Sequence, residues 1–266
     1  MAPLPSFRFP SSSSPFPFQQ TGVDLFGPFH IVNGRKTEKH YGVIFTCLVT
    51  RTSHLESCPS LTTDRFINTF RRFLARRGQP SLLRSDNGSN FVGARRELQE
   101  QLHRGIRAVK VQLPQAVGMF WDLNPPLGPH FGGAWERMIQ TAKRTLLIIL
   151  GSKKLTLEFF NTILAETELM LNSRPLTHVA DQPDNEEPLT PNHFLIHRPY
   201  ANLPPGVFQA SPEPLSFKSW KEVQKAANHF WKRLMKEYLP TLHQRRKWNV
   251  QPVSYTHLTL PTILLV

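Results

Sequence analysis

Apolar and β-branched residues run almost unbroken from Tyr41 to Thr50 (YGVIFTCLVT). A run of that kind reads as a buried central strand. Val23 to Phe26 is a shorter strand, His54 to Cys58 a neighbouring one, and Asn33-Gly34 signals a hairpin between the first two. From Thr63 the spacing turns helical. Phe66, Ile67, Phe70, Phe73 and Leu74 share one face, while Arg65, Arg72 and Arg76 fall largely on another. Thr63 or Asp64 can cap this helix, which runs to about Arg77, and Gly78 can end it. Ser81 to Arg84 is a short strand that delivers Asp86 at its end. A helix is expected over Arg95–His103 and a strand over Val109–Leu113. Residues 114–133 hold Pro114, Pro125, Pro126, Pro129 and several glycines, and read as a loop. Helices follow over Ala134–Leu150, stopped by Gly151, and over Leu157–Leu171, ended before Pro175.

Beyond these elements the pattern loosens. Residues 176–214 hold eight prolines without periodicity and read as a wrapping or linking segment. Trp220, Val223, Ala227, Phe230, Trp231, Leu234 and Tyr238 then recur at helical spacing. Lys218, Lys221, Lys225, Lys232 and Lys236 lie on a different stripe of that helix. The order of strands first, then helices alternating with strands, predicts an α/β fold: a mixed sheet with helices on its faces. The expected organisation is an extended Pro/Ser-rich lead-in over residues 1–20 and a core over 21–200. A linker over 201–217, a basic amphipathic helix over 218–248 and a tail over 249–266 follow. The tail loses both charge and periodicity, and is expected to be foreign to the fold.

Charge changes the picture. The chain carries 32 Lys and Arg against 19 Asp and Glu, a formal net charge of +13, which favours a polyanionic partner. The 266 residues and 39% apolar content suffice for a substantial core. Cys47 and Cys58 form no C-x-x-C pair and no His/Cys cluster, so they read as reduced structural thiols and no zinc site is expected. No apolar run approaches the length of a membrane span, and the N-terminus lacks the pattern of a signal peptide. The expected location is inside the cell.

Three acids stand in tight apolar and glycine-rich settings. They are Asp24 in Gly22-Val23-Asp24-Leu25-Phe26-Gly27-Pro28, Asp86 in Ser85-Asp86-Asn87-Gly88-Ser89-Asn90-Phe91, and Glu136 after Gly132-Gly133. Each has an ordinary reading: a surface aspartate, an Asx turn, a favourable charge at a helix start. Together they fit one site at strand ends and a helix start. Three carboxylates that meet can hold two divalent cations for phosphoryl transfer. Glu136, Gln140, Lys143 and Arg144 fall on one helical face, an acid followed by two cations along the path a phosphate strand could take.

These segments resemble the motifs of retroviral and LTR-retrotransposon integrases, and their wording is similar to the BEL/Pao-type retrotransposon polyproteins. The resemblance covers roughly residues 20–200 and includes Asn172-Ser173-Arg174-Pro175-Leu176 and Leu189-Thr190-Pro191-Asn192-His193-Phe194-Leu195. It implies an RNase H-like core, a mixed five-stranded sheet flanked by helices, with a basic helical extension at the C-terminus. It implies that Asp24, Asp86 and Glu136 are the catalytic acids and ligate two Mg²⁺ or Mn²⁺ ions. Lys143 falls where such integrases hold a DNA-contacting lysine. Asn87, Asn90, Gln140 and Arg144 complete the expected DNA contacts.

The implied activity is trimming of DNA ends and strand transfer into target DNA by a homo-oligomer, nuclear when functional and otherwise in a cytoplasmic particle, without a membrane. Asp86 and Glu136 are 50 residues apart, wider than the widespread pattern of about 35. No His-His-Cys-Cys zinc domain precedes Asp24. The expectation is therefore a chain that starts after that domain, a fragment or a degraded genomic copy. Two other readings stay open: a catalytically silent or domesticated DNA-binding remnant, and an RNase H-like nuclease acting on RNA–DNA hybrids. The basic helix can bind DNA or can pack through Trp220, Phe230 and Trp231 with its lysines merely solvated.

Overall fold

The structure, a computed structural model, describes residues 16–85, 91–97, 119–123, 133–150, 153–177, 188–199 and 220–242. The strands are β1 (Gln20–Asn33), β2 (Lys36–Cys47), β3 (Ser53–Cys58), β4 (Leu82–Ser85), β5 (Phe120–Leu123) and β6 (Lys154–Leu155). The helices are α1 (Thr63–Arg77), α2 (residues 91–97), α3 (Gly133–Leu150), α4 (Leu157–Asn172), α5 (Pro191–Leu195) and α6 (Trp220–Leu242). The strands lie in the order β3-β2-β1-β4-β5, with the two-residue β6 beside the far end of β1. β1, β2 and β3 are antiparallel, whereas β4 and β5 run parallel to β1. This is the expected mixed α/β sheet, but β1 rather than β2 is its middle strand.

Each face of the sheet buries its own cluster. On one, Val23, Val43, Phe45 and Leu83 meet Phe66, Phe70 and Phe73 of α1, Phe91 of α2 and Trp121 of β5. Phe45 stacks on Phe73 with ring centroids 4.2 Å apart. On the other, Phe26, Phe29, Ile31, Ile44 and Leu55 pack under α3, α4 and α6. α6 belongs to the core: Val223, Ala226, Ala227, Phe230 and Leu234 are buried in this second cluster, while Lys221, Lys232 and Lys236 are exposed. The packing alternative for the basic helix is thus the one its apolar stripe adopts. Phe230 does pack, but Trp220 stays largely exposed and Trp231 is only partly buried.

β1 is far longer than Val23–Phe26 because a bulge hides its period. Phe26 pairs with Gly42 and Phe29 with His40, so Gly27 and Pro28 on β1 face Tyr41 alone on β2. The extra residue changes the parity, and Phe26 and Phe29 both reach the same cluster. Gly27, at φ 128°, takes a conformation that side-chain-bearing residues rarely adopt. Across from it, a Cβ on Gly42 would run into the ring of Phe26. At the hairpin the expected turn forms, with Asn33 paired to Lys36 and Gly34 at φ 59°. α1 starts at Thr63, so that Thr62 and not Thr63 or Asp64 takes the N-cap position, and it ends as expected, the Gly78 N–H donating to Leu74 O at 2.9 Å.

Three expectations need correction. The segment 114–133, expected to be a loop, contains β5, held to β4 by Trp121 Nε1 donating to Ser85 Oγ at 2.9 Å. Its four residues are framed by Gly118 and Pro125, which mask so short a strand. Residues 176–214, expected to lack elements, contain α5, stabilised by a Thr190–His193 capping box. Phe18, expected in an unpacked lead-in, is buried against Phe73 at 5.5 Å. Val109–Leu113, the linker 201–217 and the tail 249–266 lie outside the described residues, as does most of Arg95–His103. No helix among the described residues is long and apolar enough to cross a membrane.

The outer edge of β3 is closed by side chains of α4. Asn172 accepts from Ser53 N–H at 2.8 Å and donates to Ser53 O at 2.8 Å. Glu168 Oε2, one helical turn earlier, accepts from Leu55 N–H at 2.9 Å. Exposed edges normally present such groups to water or to another strand. The following residues extend this anchoring. Arg174 is buried and donates to Leu171 O and, at 2.9 Å, to Arg51 O. Burial pulls its pKa down to about 10. Tyr238 of α6 donates to Pro175 O at 2.8 Å, and Asn192 Nδ2 to Ser173 Oγ at 3.0 Å. The Asn172–Leu176 and Leu189–Leu195 phrases are therefore joints where α4, α5, α6 and β3 meet.

Candidate functional site

Asp24 lies in the first half of β1, opposite Ile44 of β2. Its side chain is 45% exposed, so the carboxylate reaches the surface from a strand whose neighbours Val23 and Phe26 are buried. Oδ1 accepts from Leu25 N–H at 2.7 Å, which fixes the group against its own backbone. Oδ2 accepts from Lys143 Nζ of α3, and the same ammonium donates to Leu25 O at 3.2 Å. Lys143 is 16% exposed, its stem buried between helix and strand. The contact ties α3 to β1 at the candidate acid.

β4 reaches the same place from the other side. Gly22 pairs with Arg84 in parallel register, so the strand ends at Ser85 level with Val23 and Asp24. Arg84 is fixed by Asp122 of β5, with Nε at 2.9 Å and Nη2 at 2.5 Å from Oδ2. Asp86 is the next residue in the chain. Asp86, Asn87 and Asn90 lie outside the described residues. Glu136 is in the first turns of α3, seven residues before Lys143, and its side chain is outside the described set. Gln140 and Arg144 are exposed and join Lys143, Leu147 and Ile148 in lining an open depression of about 450 Å³. Of the expected site residues, the structure thus brings Asp24 together with Lys143, and groups Lys143 with Gln140 and Arg144.

Asp24 suits a hard divalent cation. It is a partly exposed oxygen donor, rigidly based, and already opposite a positive charge. Among the described residues no group of three or more His, Cys, Asp or Glu gathers as a metal cage, and Asp86 is not among those residues.

A second ionic cluster carries no signal that the motifs would reveal. His54, 2% exposed, sits with Nδ1 2.9 Å from Glu168 Oε2 and Nε2 3.3 Å from Glu56 Oε1. Arg72 and Arg76 bind Glu56 at 2.8 and 2.5 Å, and Arg77 binds Glu168. Burial opposes the charged imidazole, but the hydrogen bonds that its N–H groups donate to Glu168 and Glu56 outweigh it, and the His54 pKa is raised. Burial likewise opposes both carboxylates, yet His54 and the arginines hold Glu56 and Glu168 below the usual carboxylate range. The one available sequence sign is that His54 and Glu56, two residues apart on β3, share one side of the strand.

An α/β sheet with three antiparallel strands followed by two parallel ones, and helices on both faces, has the strand arrangement of an RNase H-like fold. A family model described as a family of unknown function (DUF5641) matches residues 218–264, which takes in α6 and most of the tail. No curated protein matches. Among solved structures the chain is similar to one in the cryo-EM structure of the simian T-cell lymphotropic virus intasome in complex with PP2A regulatory subunit B56 gamma. The identity is 14% over 74% of this chain, at a TM-score of 0.44. This chain covers 60% of the length of that one.

Proposed function

We propose that this chain is the core of an integrase of the LTR-retrotransposon kind, a metal-dependent DNA-processing and strand-transfer enzyme. The reading is carried by the contact of Lys143 with Asp24. It ties α3 to β1 near the level at which β4 ends, with Gln140 and Arg144 exposed beside Lys143. Asp24, Asp86 and Glu136 would hold the cations. Two Mg²⁺ or Mn²⁺ ions bound there would activate a water or a 3′-hydroxyl and stabilise the leaving oxygen. The chain's own residues would do the rest. β1 supplies a stiff base for Asp24, whose Oδ1 is fixed by Leu25 N–H. Gln140 and Arg144 stand exposed for phosphate contacts, and Lys143 becomes a further donor when it leaves Asp24.

Such contacts read the backbone and not the base sequence, so target choice would be broad and binding strongly salt-dependent. Assembly as a homo-oligomer on DNA belongs to the same proposal. The test is Glu136→Gln, assayed with Mn²⁺ for strand transfer and by gel shift for DNA binding. The expected outcome is loss of strand transfer by at least about a hundredfold with DNA binding retained. Strand transfer at the unmutated rate overturns the proposal. DNA binding by the unmutated chain with no strand transfer at all would mark a silent remnant.

A further inference from the structure

Two strand spacings from Asp24, at the edge of β3, the second ionic cluster lines a cavity of about 710 Å³ between α1 on one face and α4 and α5 on the other. This volume is in the range of small-molecule sites. Apolar walls come from Leu55, Leu164, Leu169 and Leu195. The charged groups facing it are His54 and Glu56 from β3, Arg72, Arg76 and Arg77 from α1, and Glu168 from α4; His40 comes from β2. Three guanidinium groups meet two carboxylates, so the cavity keeps positive charge even before His54 is counted. The ion pairs also leave donors over. Arg76 commits only Nη1 to Glu56, and Arg77 commits Nη2 to Glu168 while its Nε lies beside the His54 ring. Arg76 stands at the mouth with its side chain 61% exposed. The guanidinium is a planar fork matched to oxyanions.

We infer that this cavity binds a small oxyanion, a carboxylate or phosphate monoester on an apolar stem, with the head on Arg76 and Arg77 and the stem against the leucines. The site is independent of the proposed DNA chemistry. Glu56 and Glu168 act as positioning residues: they fix the guanidinium planes and leave the outer edges open to the ligand.

The experiment is calorimetric titration of the full chain at constant ionic strength with phenyl phosphate, benzoate and, as a neutral control, benzyl alcohol. Saturable binding of either anion, and not of the alcohol, is expected. Phosphate-only or benzoate-only binding assigns the headgroup. Arg76→Gln should weaken binding roughly tenfold while the melting temperature holds, since Arg76 is mostly exposed. Ala165→Leu, at an exposed α4 position that lines the cavity, should weaken binding by crowding the stem's place beside Leu164 and Leu169. No saturable heat with either anion overturns the inference. So does equal binding of the alcohol, or anion binding that neither substitution changes.

Discussion

Lys143 shows how much one side chain can decide. Its ammonium lies on the carboxylate that the proposed chemistry needs for a cation, and two positive charges cannot share Asp24 Oδ2 at contact distance. Metal binding would therefore release Lys143 into the depression it shares with Gln140 and Arg144. Lys143→Met should raise the affinity for Mn²⁺ by roughly tenfold, read by water-proton relaxation in the absence of DNA. DNA affinity should fall modestly in the same variant. An unchanged Mn²⁺ affinity would show that ammonium and metal do not compete for Asp24. The candidate acid was legible because a carboxylate inside an apolar strand is costly unless something meets it. What meets it was not legible. Lys143 and Asp24 are 119 residues apart, and sequence spacing placed Lys143 only on the face of Glu136.

At the scale of elements, Asn172 is the clearest joint. It closes both hydrogen-bonding groups of Ser53, so Asn172→Ala leaves a buried N–H and C=O unserved. The expected cost is about 2–4 kcal/mol, measured by urea unfolding, with faster amide exchange at Ser53. Asn172→Asp, which keeps the acceptor for Ser53 N–H but turns a buried carboxylate oxygen onto Ser53 O, should cost at least as much. Recurring phrases such as Asn172-Ser173-Arg174-Pro175 were visible as phrases, but their hydrogen-bonding role depends on α4 lying along β3. Short elements escaped for local reasons. β5 and α5 span four and five residues, too few for a period to declare itself between prolines. Longer elements such as α1, α3 and α4 were read closely, because three or more turns repeat the pattern.

For the whole molecule, the buried ion cluster makes stability depend on pH from both sides. The His54 pKa is raised, so its contribution is complete below the ordinary value of 6.5 and is lost as pH rises through the folded value. Glu56 and Glu168 are lowered, so theirs is complete above the ordinary 4.5 and is lost as pH falls through their folded values. The window in which all three contribute is pH 4.5 to 6.5. His40, whose buried ring titrates low, works in the opposite direction to His54, and burial raises Glu166. The difference between the unmutated chain and His54→Gln separates these contributions. That difference in melting temperature should shrink as pH rises beyond 6.5. A pH-independent difference would mean that His54 acts there by shape alone.

The bulge at Gly27-Pro28 gives β1 two halves with independent tolerances. Upstream, even positions such as Asp24 and Phe26 face α3; downstream, odd ones such as Phe29 and Ile31 do. Deleting one residue there would straighten the strand and leave Asp24, Phe29 and Ile31 on the faces they now hold, whereas keeping the residue and pairing it regularly would rotate Phe29 and Ile31 out of their cluster and His30 into it. What sets the facing of the downstream half is therefore whether the extra residue stays bulged at Gly27, not the number of residues in the strand.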